Sequence, residues 1–248
     1  MEVNNKLDIM ILNLTEDNTG SLNGLLSILN PLAYNTNITT VTYNELDTTN
    51  NNFNDGIIII GDDTANTSFY DNNDWDKLSN IIDWSNSHSK SILHIGLGTQ
   101  LGLYHYYKIE QHPLNKSLVG IYSHLSINTS NPLVFGFDDE FFSPHNRCTT
   151  VYAKDIKAHS ELDIVAISNN AGIFLVTDKE YRHIFCTGHP EYERLTLHEK
   201  LIGKLSSSES FDIPENYYPC DDFTERPQMK WKAHASLLIQ NWIHLLQK

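Results

Sequence analysis

The chain is poor in positive charge and in long apolar runs. It has 17 Lys and Arg residues against 31 Asp and Glu residues, and its net charge is −14. Nucleic acids and anionic membrane surfaces are bound by clustered cations, so this balance disfavours both partners. The apolar runs, such as residues 56–61, fall well short of the ~18 residues of a membrane span. We expect a globular protein that binds neither nucleic acid nor a membrane.

Cysteine is scarce as well. The three cysteines, Cys148, Cys186 and Cys220, are few, odd in number and far apart, which indicates a reducing compartment and no disulfide scaffold. Neither CxxC nor HExxH is present, so no metal site and no bound cofactor are expected. The first residues lack a cationic stretch followed by an apolar core and a cleavage site, and we expect a cytoplasmic protein.

The first half of the chain alternates apolar runs with helical patterns. Strands are predicted at residues 7–14, 38–44, 56–61 and 91–96, with helices at residues 21–32, 74–88 and 99–109. This order is typical of a doubly wound, mostly parallel α/β sheet flanked by helices.

The second half is predicted to extend the sheet with additional strands. These are expected at residues 118–128, 149–156, 162–168, 172–178 and 183–188. One helix is predicted to open near residue 188, and an apolar i, i+3, i+4 pattern predicts a last helix over residues 231–246. The sequence shows neither an interdomain linker nor an internal repeat, so we expect residues 1–248 to form a single domain.

Residues 94–105, HIGLGTQLGLYH, have the strand-turn-helix pattern that presents a nucleophile in many α/β enzymes. The corner holds Gly96, Leu97 and Gly98, none of which can attack a substrate. Glycine also relieves the backbone strain that is usual at such a corner.

His189 and Glu191 follow an apolar strand, at the end of the sheet where ligands bind in open α/β folds. Their i, i+2 spacing lets both side chains reach one pocket from a non-helical turn, where the carboxylate orients or charges the imidazole. The alternative is the start of a helix, with Glu191 in the first turn. Arg147 likewise has two interpretations: an ion pair with the acidic residues 138–140, or ligand binding.

Several motifs follow one another along nearly the whole chain in the order of a known family. They are LDIMILNL (7–14), DWDKLSNIIDW (74–84), GxQxxLYH (98–105), GFDDEFxxPHxR (136–147), TGHPEYE (187–193), IPENYYPCDD (213–222) and WxxHAxLLxxNW (231–242). The series resembles the homoserine O-succinyltransferase and O-acetyltransferase family, which has the class I glutamine amidotransferase-like fold. The resemblance implies that fold here.

In that family a cysteine at the elbow takes the acyl group from acyl-CoA, a His-x-Glu pair assists, and the hydroxyl of an amino acid accepts the acyl group. The resemblance assigns the pair to His189 and Glu191. Substrate-binding positions are implied for a further set: Gln100, Lys116, Asn146 and Arg147.

This sequence departs from the family at several of its functional positions. Gly96 stands in place of the cysteine and Leu97 in place of a tryptophan. Ala65 replaces a glutamate within residues 61–65, and Gly203 replaces a second arginine. The family lysine falls on Ser117, beside Lys116, and Asn146 replaces a serine.

Without a side chain at Gly96, no acyl-enzyme can form there. One hypothesis is direct transfer, in which His189 deprotonates the acceptor hydroxyl or amine and the backbone N–H groups of Leu97 and Gly61 hold the oxyanion. There are three alternatives. Cys148 or Cys186 could be a relocated nucleophile. The protein could be non-catalytic and bind an amino-acid-like ligand or a partner protein, or it could be an enzyme of changed chemistry that uses His189 and Glu191 as acid and base. Acyl-CoA or another carrier-bound thioester and an amino-acid-like acceptor are the expected substrates. The family commonly forms dimers, so a homodimer is a possible assembly.

Overall fold

A nine-stranded sheet in the order β2-β1-β3-β4-β9-β8-β7-β5-β6 lies at the centre of the molecule. The structure is a computed structural model. It describes residues 6–15, 19–32, 36–62, 75–206 and 212–248. The predicted α/β architecture, with a mostly parallel core and additional strands from the second half, is confirmed.

The first half of the sheet is parallel. Its strands are β1 (Leu7–Asn13), β2 (Thr36–Thr42), β3 (Asn54–Gly61) and β4 (Ser89–Gly96), joined by β9 (His183–Cys186) from the second half. The four consecutive isoleucines of β3 are each at most 1% exposed. Such a strand needs cover on both faces, which explains why its sequence is continuously apolar.

Antiparallel pairs extend the sheet beyond β9. The strands are β5 (His112–Ser126), β6 (Glu140–Thr150), β7 (Leu162–Ser168) and β8 (Gly172–Asp178). The strand predicted at residues 149–156 is wrong, because β6 begins earlier and ends at Thr150. Residues 153–157, AKDIK, instead form a short helix, and the alanine, lysine and isoleucine in it have no alternating pattern to hold them in a strand.

Six α-helices occur within the described ranges. They are α1 (Thr19–Leu29), α2 (Trp75–Ser87), α3 (Leu97–Tyr107), α4 (Ala153–Lys157), α5 (Thr196–Ser206) and α6 (Lys232–Leu246). One apolar layer joins α1 and α6 to the sheet and another joins α2 and α3, so helices cover both faces. Asp74, the predicted start of the second helix, lies outside the described residues. None of the helices within these ranges is long and apolar enough to cross a membrane.

The helix predicted from residue 188 begins only at Thr196. Pro190 interrupts the segment, and the residue before a proline is disfavoured in the helical region. Tyr192 N–H donates to the carbonyl of His189, which closes a turn there instead. The delay matters for function, because it leaves His189 and Glu191 on a turn.

Three strands end together and so define the site. The parallel register pairs Gly61 of β3 with Gly96 of β4, and Ile95 with Cys186 of β9. The residues that follow each strand therefore meet at one edge of the sheet, at the carboxyl ends where open α/β sheets bind ligands.

Candidate active site

The elbow is present and has a conformation that favours glycine. Gly96 has φ 57° and ψ −118°, and α3 begins at the next residue. This is the backbone conformation of the first central residue of a type II′ turn, which side chains with a Cβ rarely adopt. Gly98 then lets α3 approach β3, since a Cβ at residue 98 would lie 2.4 Å from the carbonyl oxygen of Ile59.

Position 96 is closed as well as lacking a nucleophile. A Cβ at Gly96 would lie 2.4 Å from Cε1 and 2.8 Å from Nε2 of His189, and 2.5 Å from the carbonyl oxygen of Gly61. The imidazole ring and a backbone carbonyl thus fill the space of a side chain at this position. Gly61 directs an acceptor oxygen toward residue 96, and an acceptor cannot stabilise an oxyanion. Oxyanion roles for the N–H groups of Leu97 and Gly61 stay predictions.

His189 and Glu191 form a buried pair on the turn after β9. Nδ1 of His189 lies 2.8 Å from Oε1 of Glu191, and both side chains are 1% exposed. Ser21 of α1 donates its hydroxyl to the same carboxylate oxygen over 2.6 Å. The i, i+2 interpretation places these groups as they are found, and the helix-start alternative is wrong because α5 begins after Glu191.

The pair keeps the imidazole basic. Burial alone would lower the pKa of His189, but the Glu191 carboxylate, its hydrogen bond and Asp62 together raise that pKa above its ordinary value of 6.5. Nε2 is buried, and among the described residues it has no hydrogen-bond partner. The nitrogen that can act as a base therefore lies beside Gly96, the position that lacks the nucleophile.

Sequence reasoning missed three residues that surround this ring. The Tyr192 ring stacks on His189, with centroids 4.4 Å apart, and its hydroxyl donates to Oδ1 of Asp62 over 2.6 Å. Lys200 of α5 forms an ion pair with Oδ2 of Asp62. Asp62 directly follows Gly61 and Tyr192 directly follows Glu191, so proximity in the sequence to predicted site residues could have identified both. Lys200 gave no sequence signal, since 138 residues separate it from Asp62.

The predicted substrate-binding residues lie in different places. Asn146 reaches the site and donates Nδ2–H to the Tyr192 hydroxyl over 3.4 Å, and Gln100 is buried in the first turn of α3. Lys116 lies on the surface, where its 60% exposed side chain pairs with Glu215. The predicted loop residue Ala65 lies outside the described residues.

Arg147 is buried and bonded to the protein interior. Its guanidinium donates to the backbone carbonyls of Thr149 and Ala171, and its Nε–H donates to Nδ1 of His145 over 3.3 Å. The ion-pair alternative is wrong, because within the described part of the chain no bridge joins Arg147 to residues 138–140. A role in ligand binding stays a prediction.

Both alternative cysteines are buried, and a nucleophilic role for either stays a prediction. Cys186 is fully buried. Its burial is the main cause that raises the pKa of its thiol well above the ordinary value, and the nearby Glu191 charge adds to this effect. Its Sγ lies 3.7 Å from the carbonyl oxygen of Gly188. Cys148 is buried on β6 directly after Arg147, and neither residue is in a disulfide. In the described ranges no group of three or more possible ligands is placed to hold a metal ion.

Helix α1 approaches the Glu191 backbone through Gly24. A Cβ at residue 24 would lie 1.9 Å from the carbonyl oxygen of Glu191. We expect Gly24→Ala to lower the free energy of unfolding by about 1–3 kcal/mol, because neither the helix nor the turn can yield without losing packing. Urea denaturation measures this. The control is Gly203→Ala on the exposed surface of α5, whose Cβ would meet no described atom within 4 Å and which should be neutral or stabilising. Equal losses in the two variants would contradict the close approach.

Comparisons with known proteins find relatives along most of the chain. A family model described as homoserine O-succinyltransferase matches residues 30–248. A homoserine O-acetyltransferase of Agathobacter rectalis is 40% identical over 202 residues, which are 82% of this chain and 65% of the relative. A homoserine O-succinyltransferase of Shewanella frigidimarina is 37% identical over 198 residues, covering 80% of this chain and 63% of the relative. The chain thus spans a little under two thirds of the length of these relatives.

Solved structures support the fold alone. A glutamine amidotransferase from Thermotoga maritima superposes with a TM-score of 0.67 at 10% identity, covering 98% of this chain and 99% of that one. A glutamine amidotransferase from Methylobacillus flagellatus gives a TM-score of 0.63 at 12% identity, with 98% and 96% covered. At such identities the similarity carries no information on substrate.

Proposed function

Because the chain belongs to the homoserine O-succinyltransferase family, we propose that it transfers an acyl group from a thioester directly to an amino-acid-like acceptor, with no acyl-enzyme. The observation that supports this proposal is the buried His189–Glu191 pair. Its Nε2, which has no hydrogen-bond partner in the part of the chain that the structure describes, lies beside the position where the family carries its nucleophile.

The pair supplies what a one-step transfer needs from the protein. Glu191 holds Nδ1, so that in the neutral imidazole Nε2 has the free lone pair. His189 takes a proton from the hydroxyl or amine of the acceptor as that group attacks the thioester carbonyl. It then returns the proton to the departing thiolate. General base catalysis of this kind is worth about 10²–10⁴-fold. Holding donor and acceptor together adds up to about 7–11 kcal/mol.

The relatives' names suggest the substrate class. They are called homoserine O-acetyltransferases and O-succinyltransferases, so we propose an acyl-CoA or carrier-bound thioester as donor and an amino acid as acceptor. The family's lysine, glutamate and second arginine are replaced by Ser117, Ala65 and Gly203, and these changes argue that homoserine itself is not the acceptor.

A second candidate is a non-catalytic protein that binds an amino-acid-like ligand. The observation in its favour is the closed position 96, where the His189 ring and the Gly61 carbonyl fill the space of a nucleophile. A protein that has given up acylation does not need that space.

Turnover decides between the two candidates. The chain is incubated with acetyl-CoA or succinyl-CoA and a panel of hydroxy- and amino-acids, and free thiol and acylated products are measured. We expect His189→Gln to lower the rate at least about 100-fold. The control is His244→Gln, whose exposed side chain lies in the last turn of α6. Activity that survives His189→Gln refutes the general base. A thermal shift with an amino acid but no turnover favours the binding protein.

A further inference from the structure

Asp62 places a second carboxylate at the reactive edge of His189. The residue directly follows β3, is 8% exposed, and its Oδ1 lies 4.0 Å from Nε2 of His189. Glu191 occupies the opposite edge of the ring, at Nδ1. The imidazole is therefore flanked by a carboxylate on each side, and only the Asp62 side adjoins position 96.

The Asp62 carboxylate is fixed in place and held ionised. Tyr192 donates to Oδ1, Lys200 pairs with Oδ2, and Asn146 in turn donates to the Tyr192 hydroxyl. Burial alone would raise the pKa of Asp62, but His189 and Lys200 together lower it below the ordinary value. Among the described residues Tyr192 is the one hydrogen-bond donor to Oδ1, and each carboxylate oxygen accepts two hydrogen bonds, so Oδ1 has a second lone pair for a ligand.

The His189 imidazole and the Asp62 carboxylate place two hydrogen-bond acceptors where a single atom of a bound molecule can contact both. When His189 is neutral and able to take a proton, Nδ1–H donates to Glu191 and Nε2 carries the lone pair. Nε2 and Oδ1 are then both acceptors, 4.0 Å apart. One atom can lie about 2.8 Å from both of them, which is an ordinary hydrogen-bond distance. To satisfy both, that atom must carry two hydrogens. An alcohol oxygen has only one.

We propose that Asp62 and His189 together select an acyl acceptor whose attacking atom carries at least two hydrogens, namely a primary amine of an amino-acid-like molecule or water, in preference to a hydroxyl. This inference rests on the proposed function and narrows its substrate class. An alcohol at the same point leaves one buried acceptor unsatisfied. That costs as much as a lost charged hydrogen bond, which corresponds to at least about tenfold in binding.

The step balances with the groups named. The nitrogen of the amine, or the oxygen of water, bonds to the thioester carbonyl carbon, and the carbon–sulfur bond breaks. One hydrogen of the attacking atom passes to Nε2 of His189 and then to the thiolate sulfur, while Asp62 holds the other. The products are an amide or a carboxylic acid together with the free thiol.

Homoserine and 2,4-diaminobutyrate form a matched pair of probes, since they differ only in a terminal hydroxyl or amine. With acetyl-CoA or succinyl-CoA, we expect the wild-type chain to acylate diaminobutyrate, or to hydrolyse the thioester with no acceptor present, at least about tenfold faster than it acylates the hydroxyl of homoserine. Mass spectrometry separates the amide from the acid, and hydroxylamine, which cleaves an ester but not an amide, separates acylation at the homoserine hydroxyl from acylation at its α-amine. Faster acylation of the homoserine hydroxyl than of either alternative overturns the inference and leaves the proposed function standing.

Asp62→Asn tests the carboxylate itself, because the amide replaces an acceptor by a donor at nearly the same volume. We expect the preference over homoserine to shrink at least about tenfold. The matched control is Asp55→Asn, which also breaks an aspartate–lysine pair, here with Lys90, but at the start of β3. An unchanged preference in Asp62→Asn overturns the inference. If that variant does not fold, the wild-type comparison decides.

Calorimetry separates failure of the inference from failure of the proposed function. If no thioester is consumed with any acceptor, direct transfer is refuted. The inference is then tested by measuring how tightly diaminobutyrate and homoserine bind in the absence of an acyl donor. It is supported if diaminobutyrate binds at least about tenfold more tightly than homoserine and this difference is lost in Asp62→Asn. Equal binding overturns it.

Discussion

A Gly96→Cys variant is expected to lose about 2–6 kcal/mol of unfolding free energy and to form no acyl-cysteine. The backbone at residue 96 has φ 57°, so any residue with a Cβ is strained there by about 1–3 kcal/mol. The new Cβ would also lie 2.4 Å from the His189 ring and 2.5 Å from the Gly61 carbonyl, an overlap that costs about 1–3 kcal/mol more. Restoring the thiol therefore displaces the base that should activate it.

Urea denaturation and intact-mass measurement after incubation with acetyl-CoA test this expectation together. Gly136→Ala is the matched control, because Gly136 has φ 81° but its Cβ would meet nothing nearer than 3.8 Å. That variant carries the backbone strain without the overlap, so the difference between the two losses measures how tightly position 96 is closed. A Gly96→Cys protein as stable as the parent, with an acyl adduct at residue 96, would show that the site had kept room for its nucleophile.

Features with a local cause were predictable from the sequence. The continuous isoleucines of β3 specify a buried parallel strand, because a strand covered on both faces has no polar side. The separation of two residues between His189 and Glu191 is enough to bring imidazole and carboxylate together across one turn. In each case the residues concerned are close neighbours in the chain.

Features that depend on distant groups were not predictable. Whether position 96 is open depends on where the His189 ring and the Gly61 carbonyl lie, and neither follows from residues 94–105. Lys200 meets Asp62 only because α5 packs beside the end of β3. The error at residues 149–156 has the same origin: β6 begins at Glu140 because β5 offers it a long antiparallel partner. At these residues the strand boundaries are set by pairing with β5 and not by the local sequence pattern.

Buried histidines are expected to make the fold acid-sensitive. Burial lowers the pKa of His124 to about 3 and the pKa of His183 to about 4, and it lowers those of His94 and His145 well below 6.5. In the unfolded chain each imidazole titrates near 6.5, so below that pH the unfolded state binds protons that the folded state does not. Stability is then complete above 6.5 and is lost as the pH falls toward the folded-state values.

From pH 7 to pH 5 we expect His124 and His183 alone to remove about 4 kcal/mol of unfolding free energy, since each contributes about 1.36 kcal/mol per unit of pH between its two pKa values. Urea denaturation at both pH values measures the total. In His183→Phe, whose ring would stay packed beside Tyr106, the loss should shrink by about 2 kcal/mol. An unchanged loss would show that His183 does not limit acid stability.

His189 has the opposite effect on stability, because its pKa is raised and not lowered in the folded protein. Its pair with Glu191 stabilises the fold fully below 6.5, and that contribution is lost as the pH rises through the raised pKa. His189→Gln should thus enlarge the loss between pH 7 and pH 5, while His183→Phe reduces it. His183 at the start of β9 and His189 on the turn after it are expected to move acid stability in opposite directions, because His189 has a carboxylate on each side of its ring.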